Sequence, residues 1–149
     1  MKALLQRVTA ASVSVGGEVV GRIGRGVVVL VGVAHDDSEK DARYLAQRTV
    51  NLRLFSDEAG KFNLSALDIG GELLIVSQFT LLADTRKGRR PSFTDAAPPP
   101  QAAELFELFV SEAKTSGLKV ETGRFQQYMQ LEIHNDGPVT IMLEGREKF

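Results

Sequence analysis

From Leu4 to Val15 polar and β-branched residues alternate, Gly16-Gly17 breaks the run, and alternation resumes from Val19 to Ile23. This pattern predicts two strands joined by a tight hairpin. Val27 to Val33 (VVVLVGV) is nearly all apolar, which predicts a central strand covered on both faces. Ser38, followed three residues later by Asp41, resembles a capping box, and Ala42, Leu45, Ala46 and Thr49 recur at helical spacing, so a helix is predicted over 38–51. Leu52 to Phe55 is a short strand candidate, residues 57–61 read as a turn, and Gly70-Gly71 marks another break.

Glu72 to Leu82 (ELLIVSQFTLL) reads as a second buried strand, followed by a basic loop and by Pro98-Pro99-Pro100. Prolines at that point open a helix, and Ala103, Phe106, Phe109, Val110 and Ala113 carry its apolar stripe to Gly117, which predicts a helix over 99–116. Leu118–Val120, Met129–His134 and Val139–Leu143 are further strand candidates, the last two separated by Asn135-Asp136-Gly137-Pro138. The expected fold is one α/β domain over residues 1–149. Its sheets are mixed and largely antiparallel, layered with two helices in a three-layer β-β-α arrangement.

Composition narrows the chemistry. At 149 residues, 43% hydrophobic and 25% charged, the chain has a globular composition. The absence of cysteine excludes thiol nucleophiles and cysteine-based metal sites, and two histidines, His35 and His134, exclude a three-histidine metal centre. No metal or cofactor is expected. No apolar run approaches the ~20 residues of a membrane helix, and the start lacks a signal-like core, so a cytoplasmic protein without membrane partners is expected. Positive charge is unevenly spread: Arg86, Lys87, Arg89 and Arg90 surround Gly88 in one short loop. Such a cluster either grips phosphates or is a solvated surface loop.

Two segments are candidates for chemistry. If Ser77-Gln78-Phe79-Thr80 continues a strand, the Gln78 amide and the Thr80 hydroxyl share one face, able to orient a carbonyl or a water; a threonine that simply fits the pleat explains the segment as well. A threonine nucleophile would also need a base, and neither histidine lies in a local motif with it. In Gly137-Pro138-Val139-Thr140 a proline at a strand's mouth fixes the direction of neighbouring carbonyls, forming a backbone wall able to sense where a substituent points; a plain turn is the competing reading.

Together, SQFTL at 77–81, DTRKGRRPSF at 84–93, NLRLF at 51–55, ETGRF at 121–125 and NDGPVT at 135–140 resemble the D-aminoacyl-tRNA deacylase family. The likeness runs from LLQRVTAASVSV at the start through Gly70-Gly71-Glu72 and Met129-Gln130, and is weakest after about Leu143. It implies a homodimer with its active site at the subunit interface, acting on aminoacyl-tRNA. The implied reaction is hydrolysis of the ester between a D-amino acid and the terminal adenosine, with glycine mischarged on tRNA for alanine as a further substrate. A Gly137-cis-Pro138 loop from one subunit would exclude L side chains from the other's pocket. The resemblance makes Ser77, Gln78, Phe79 and Thr80 the pocket, Met129 the adenosine side, and Arg7 the arginine that orients the Gly-Pro loop. It also favours assistance by the 2′-hydroxyl of the RNA, with Thr80 positioning water. By charge alone, Arg86, Lys87, Arg89 and Arg90 are candidates for tRNA phosphates.

Two other functions stay open at this stage. A non-catalytic RNA-binding module would be expected to show stacking aromatics, and the chain has no Trp and two Tyr. A small-ester hydrolase would pair Thr80 with His134.

Overall fold

The structure, a computed structural model, describes residues 1–145. In chain order the elements are β1 (Lys2–Val15), β2 (Glu18–Ile23), β3 (Gly26–Gly32), α1 (Glu39–Asn51), β4 (Arg53–Ser56), β5 (Phe62–Ser65), α2 (Ala66–Ile69), β6 (Glu72–Ser77), a 3-10 turn (Phe79–Leu82), α3 (Pro99–Lys114), β7 (Val120–Thr122) and β8 (Gln130–Glu144). The main sheet is mixed. β1 pairs antiparallel with β3 through its first half, with β2 through its second half and with β8 along nearly its whole length, whereas β3–β6 and β6–β7 are parallel. β4 and β5 form a separate two-stranded sheet.

Strand alternation divides the core into two layers. Val27, Val29 and Val31 of β3, with Leu73 and Ile75 of β6, face one cluster that includes Leu45 of α1 and Phe109 of α3. Their neighbours Val28, Leu74 and Val76 face the opposite way, onto Val8, Ala11, Val13 and Ile23. A strand covered on both faces must be apolar throughout, which accounts for the unbroken VVVLV and LLIV runs. Each fully buried Val or Leu contributes about 1.5–3 kcal/mol. β1 serves both layers: Ala3 and Leu5 belong to the helix-side cluster and Val8, Ala11 and Val13 to the other, the switch coinciding with register shifts against β8. The order is therefore sheet, sheet, helices.

Several expected boundaries move. The first helix is capped as expected by the Ser38–Asp41 box, and the second opens on Pro99 and ends at Lys114. A one-turn helix, α2, joins the two expected ones; it sits between an N-cap at Ser65, whose side chain accepts from Asp68 N, and left-handed Gly70. The strand expected over 72–82 stops at Ser77. Beyond it, Gly32 leaves room for the chain to turn, since a β-carbon there would stand 2.5 Å from Leu82 Cδ2 and 3.1 Å from the Gln78 carbonyl oxygen. The strands expected at 129–134 and 139–143 are one strand, β8, which starts at Gln130 and is interrupted by a bulge. β5 had no prior expectation, and the strand expected at 118–120 lies at Val120–Thr122. The end of the weakly family-like tail, 146–149, lies outside the described residues.

Candidate active site

The Ser77–Thr80 segment sits where β6 gives way to the 3-10 turn. Gln78 N donates to Val31 O at 2.8 Å, the last rung of the parallel pairing, after which Leu81 N closes onto Gln78 O at 3.2 Å. Gln78 and Thr80 meet as expected, but through this turn and not through strand alternation: the Gln78 amide donates to Thr80 Oγ1. The turn pushes Phe79 outward, 56% exposed, with its ring edge-on to Phe93 at 5.0 Å between centroids. Phe93, at the far end of the basic loop, was not singled out in the sequence. The result is an amide and a hydroxyl held together beside an exposed aromatic, at the carboxyl end of a parallel pair.

Met129, just before β8, packs against the second cluster, with Val13 and Leu74 among its members. β7 pairs with β6 as far as Thr122 opposite Ile75, two residues before Ser77. Gly123 makes room for Met129, whose Sδ would be 2.5 Å from a β-carbon there and accepts from Arg124 N at 3.4 Å.

The Gly137-Pro138 segment protrudes from the β8 bulge, with both residues exposed and the peptide between them cis. Asn135 closes the base of the protrusion: its Oδ1 accepts from Val139 N at 2.7 Å and its Nδ2 donates to Thr140 Oγ1 at 3.0 Å. Gly137 has φ +137, and a β-carbon would lie 2.9 Å from Val139 Cγ2, so only glycine fits without strain. Arg7 anchors the protrusion from β1. Its Nε donates to Asp136 O at 3.0 Å and lies 3.4 Å from Asp136 Oδ2, its Nη1 donates to Leu54 O at 3.0 Å, and its guanidinium lies 5.6 Å from the centre of the Phe62 ring. Arg7 is thus spent on holding backbone, with its side chain only 12% exposed. Asn135 and Phe62 escaped the sequence reading.

Within one chain the two exposed motifs stay apart. Ser77 shares a row with Val31, Ala3 and Leu143, while the protrusion lies level with Arg7. Three strand spacings and four residues separate them, on the order of 20 Å.

The basic loop closes on itself through reciprocal bonds between Asp84 and Ser92, at 2.7 and 2.9 Å. Inside it, Arg86 Nε and Nη2 donate to the two Asp84 carboxylate oxygens at 2.9 and 2.8 Å. Side-chain and backbone hydrogen bonds from Arg86 hold the Asp84 carboxyl down at about 2, and Asp84 raises the Arg86 guanidinium in return. Arg86 therefore carries an intramolecular counterion, while Lys87, Arg89 and Arg90 are exposed. Asp84, Ala34, His35, Leu82 and Asp95 line an open cleft of about 710 Å³ beside the 3-10 turn. The pairing of Thr80 with His134 is not formed: His134 Nε2 lies 3.1 Å from Glu132 Oε1, and among the described residues Thr80 Oγ1 has the Gln78 amide as its partner.

Comparison with known proteins places this arrangement. The family model for D-Tyr-tRNA(Tyr) deacylase matches residues 4–144. A D-aminoacyl-tRNA deacylase of Dehalococcoides mccartyi strain 195 is 57% identical over 149 residues, covering all of this chain and 97% of the relative. One from Roseiflexus sp. strain RS-1 is 59% identical over 97% of this chain and 94% of its own length. A solved structure described as c-Myc DNA Unwinding Element Binding Protein superposes with a TM-score of 0.92 at 44% identity, over 99% of this chain and all of that one. A second, described as a probable eukaryotic D-amino acid tRNA deacylase, gives 0.86 at 19% identity over 96% of this chain and 98% of that one, a likeness of fold. With the matched model spanning both the Ser77–Thr80 turn and the Gly137-Pro138 protrusion, the chain belongs to the D-Tyr-tRNA(Tyr) deacylase family.

Proposed function

We propose that this chain, acting as one domain, hydrolyses the ester joining a D-amino acid to the terminal adenosine of tRNA, and also clears glycine mischarged on tRNA for alanine. Family membership makes it an aminoacyl-tRNA deacylase, a hydrolase. The finer reading assigns parts. The water oxygen bonds to the ester carbonyl carbon, the bond from that carbon to the ribose oxygen breaks, and the ribose oxygen takes a proton. Gln78 and Thr80, already bonded to one another, orient water and carbonyl, and the Phe79 N–H, at the open start of the 3-10 turn, faces the scissile ester. The 2′-hydroxyl of the terminal ribose assists, a group that only RNA offers. Met129 lines the adenosine side, and Lys87, Arg89 and Arg90, with Arg86 when released from Asp84, contact phosphates.

The observation that carries the reading is that two exposed motifs of one chain sit three strands and four residues apart in the main sheet. In a homodimer with the site at the interface, Gly137-Pro138 of one copy closes the Ser77–Thr80 pocket of the other. Its backbone then blocks an L side chain and admits a D side chain or none. Its place of work is the cytoplasm, where charged tRNA is used; among the described residues no helix is long and apolar enough to cross a membrane.

The decisive assay incubates the protein with D-tyrosyl-tRNA and with L-tyrosyl-tRNA. Release of D-tyrosine with L-tyrosyl-tRNA left intact is expected; no release of D-tyrosine ends the proposal, and equal release of both ends the stereochemical part.

A further inference from the structure

The small β4–β5 sheet stands outside the main sheet, and the deacylation chemistry assigns it no task. Its contacts with Arg7 suggest one. Leu54, buried in β4, presents its carbonyl to Arg7 Nη1 at 3.0 Å. Phe62, at the start of β5 and opposite Ser56, lays its ring 5.6 Å from the Arg7 guanidinium carbon while remaining 53% exposed. The third side of the guanidinium is tied to Asp136, the residue before Gly137, and a β-carbon on Gly137 would lie 3.3 Å from Arg7 Nη2. A continuous chain of contacts thus links the Phe62 ring, Arg7, Asp136 and Gly137.

Among the described residues two backbone carbonyls and one half-exposed carboxylate accept from the edge of the Arg7 guanidinium and leave its flat face to be covered by something else. The Phe62 ring lies over that face and limits tilting of the plane, because a guanidinium stacks as well as donates. A large apolar side chain left half in water at a strand's start is poorly explained by core packing. We propose that Phe62 is a positioning residue for stereochemical selection: its ring braces Arg7, and Arg7 in turn fixes the direction of the Gly137-Pro138 backbone. This rests on the reading of that backbone as the wall against L side chains. Phe62 touches neither the Gln78–Thr80 pair nor the basic loop in any described contact, so it acts on selection and not on the hydrolytic step.

The test compares Phe62→Leu, Phe62→Tyr and Gly137→Ala with the unaltered protein. The readouts are the rate ratio on L-tyrosyl-tRNA against D-tyrosyl-tRNA, the Arg7 Nε–H resonance and the thermal midpoint. Phe62→Leu is expected to raise the L-to-D ratio about two- to fivefold, the size a half-exposed ring–guanidinium contact carries, and to move the Arg7 resonance as the ring current disappears. The D-tyrosyl-tRNA rate and the midpoint should stay near those of the unaltered protein. Phe62→Tyr, which keeps the ring, should restore the ratio. An unchanged ratio in Phe62→Leu beside a raised ratio in Gly137→Ala overturns the brace and leaves the wall standing. If Gly137→Ala too leaves the ratio unchanged, the wall itself fails and the brace with it. A ratio raised equally by Leu and Tyr shows that the ring is not the cause and also overturns the proposal.

Discussion

At position 32 one missing β-carbon lets the 3-10 turn lie close against β3. An alanine there would press within 2.5 Å of Leu82 Cδ2, the movable end of a side chain, and 3.1 Å of the Gln78 carbonyl oxygen, so Leu82 would have to turn aside and the 3-10 turn to give by a few tenths of an ångström. Gly32→Ala is expected to cost about 1–3 kcal/mol of stability, as over-packing does. If Gln78 and Thr80 position the reactants as proposed, single-turnover hydrolysis of D-tyrosyl-tRNA should fall severalfold, well short of the roughly 100-fold that goes with a displacement of about 1 Å. Denaturant titration and rapid-quench kinetics check the two parts separately. Thr80 makes a second prediction at this scale. As a water-positioning group its removal in Thr80→Ala should slow hydrolysis by roughly 10²-fold and no acyl-enzyme should be trapped; complete loss with intact folding and tRNA binding would mark a covalent role.

At the scale of elements, the loop between Asp84 and Ser92 is less basic than its sequence suggests, because one of its four cations is paired within the loop. The pairing depresses the Asp84 carboxyl from 3.8 to about 2, so the ion pair is fully present above the ordinary carboxylate value and is lost only as pH falls toward 2. Between neutral pH and about 4 the charge of the loop is accordingly constant. Asp84→Asn should free Arg86 and steepen the salt dependence of tRNA binding by about 0.7–0.9 in log Kd against log salt, the increment for one further phosphate. An unchanged slope would show that the loop stays clear of the tRNA backbone.

Elements were legible where their signals are local. The Ser38–Asp41 box and the three prolines mark helix starts, and the VVVLV run marks a doubly covered strand. The strand run through SQFT misled because TLL continues the apolar pattern, while the turn depends on a glycine in another strand. α2 carried its own signature, Ser65 followed three residues later by Asp68, within a stretch otherwise poor in periodicity. The partners of Arg7 were invisible for a different reason: its acceptors are the carbonyls of Leu54 and Asp136, which every residue type possesses.

For the whole molecule, the separation of the two motifs makes a prediction that no single-chain site shares. If the proposed homodimer forms, let one variant lack Gln78 and Thr80 function, and let the other be Gly137→Ala, expected to hydrolyse both enantiomers. In randomly mixed dimers a defective wall meets a competent pocket only within Gly137→Ala homodimers, so L-tyrosyl-tRNA hydrolysis per competent pocket should fall to about half after subunit exchange. If each chain supplied its own wall, mixing would leave that rate unchanged. Subunit exchange followed by the L-tyrosyl-tRNA assay decides between them.

The protrusion at 136–138 has a bearing on solubility as well. β8 is fifteen residues long and pairs with β1 alone among the described strands, leaving one edge lined with unpaired backbone donors and acceptors. Long unpaired edges recruit further strands and seed aggregates. Here the looped-out residues break the edge near its middle, and Pro138 contributes no N–H to any incoming strand. A chain trimmed of these three residues to give an uninterrupted β8 would lose its gatekeeper and should precipitate at concentrations the intact protein tolerates.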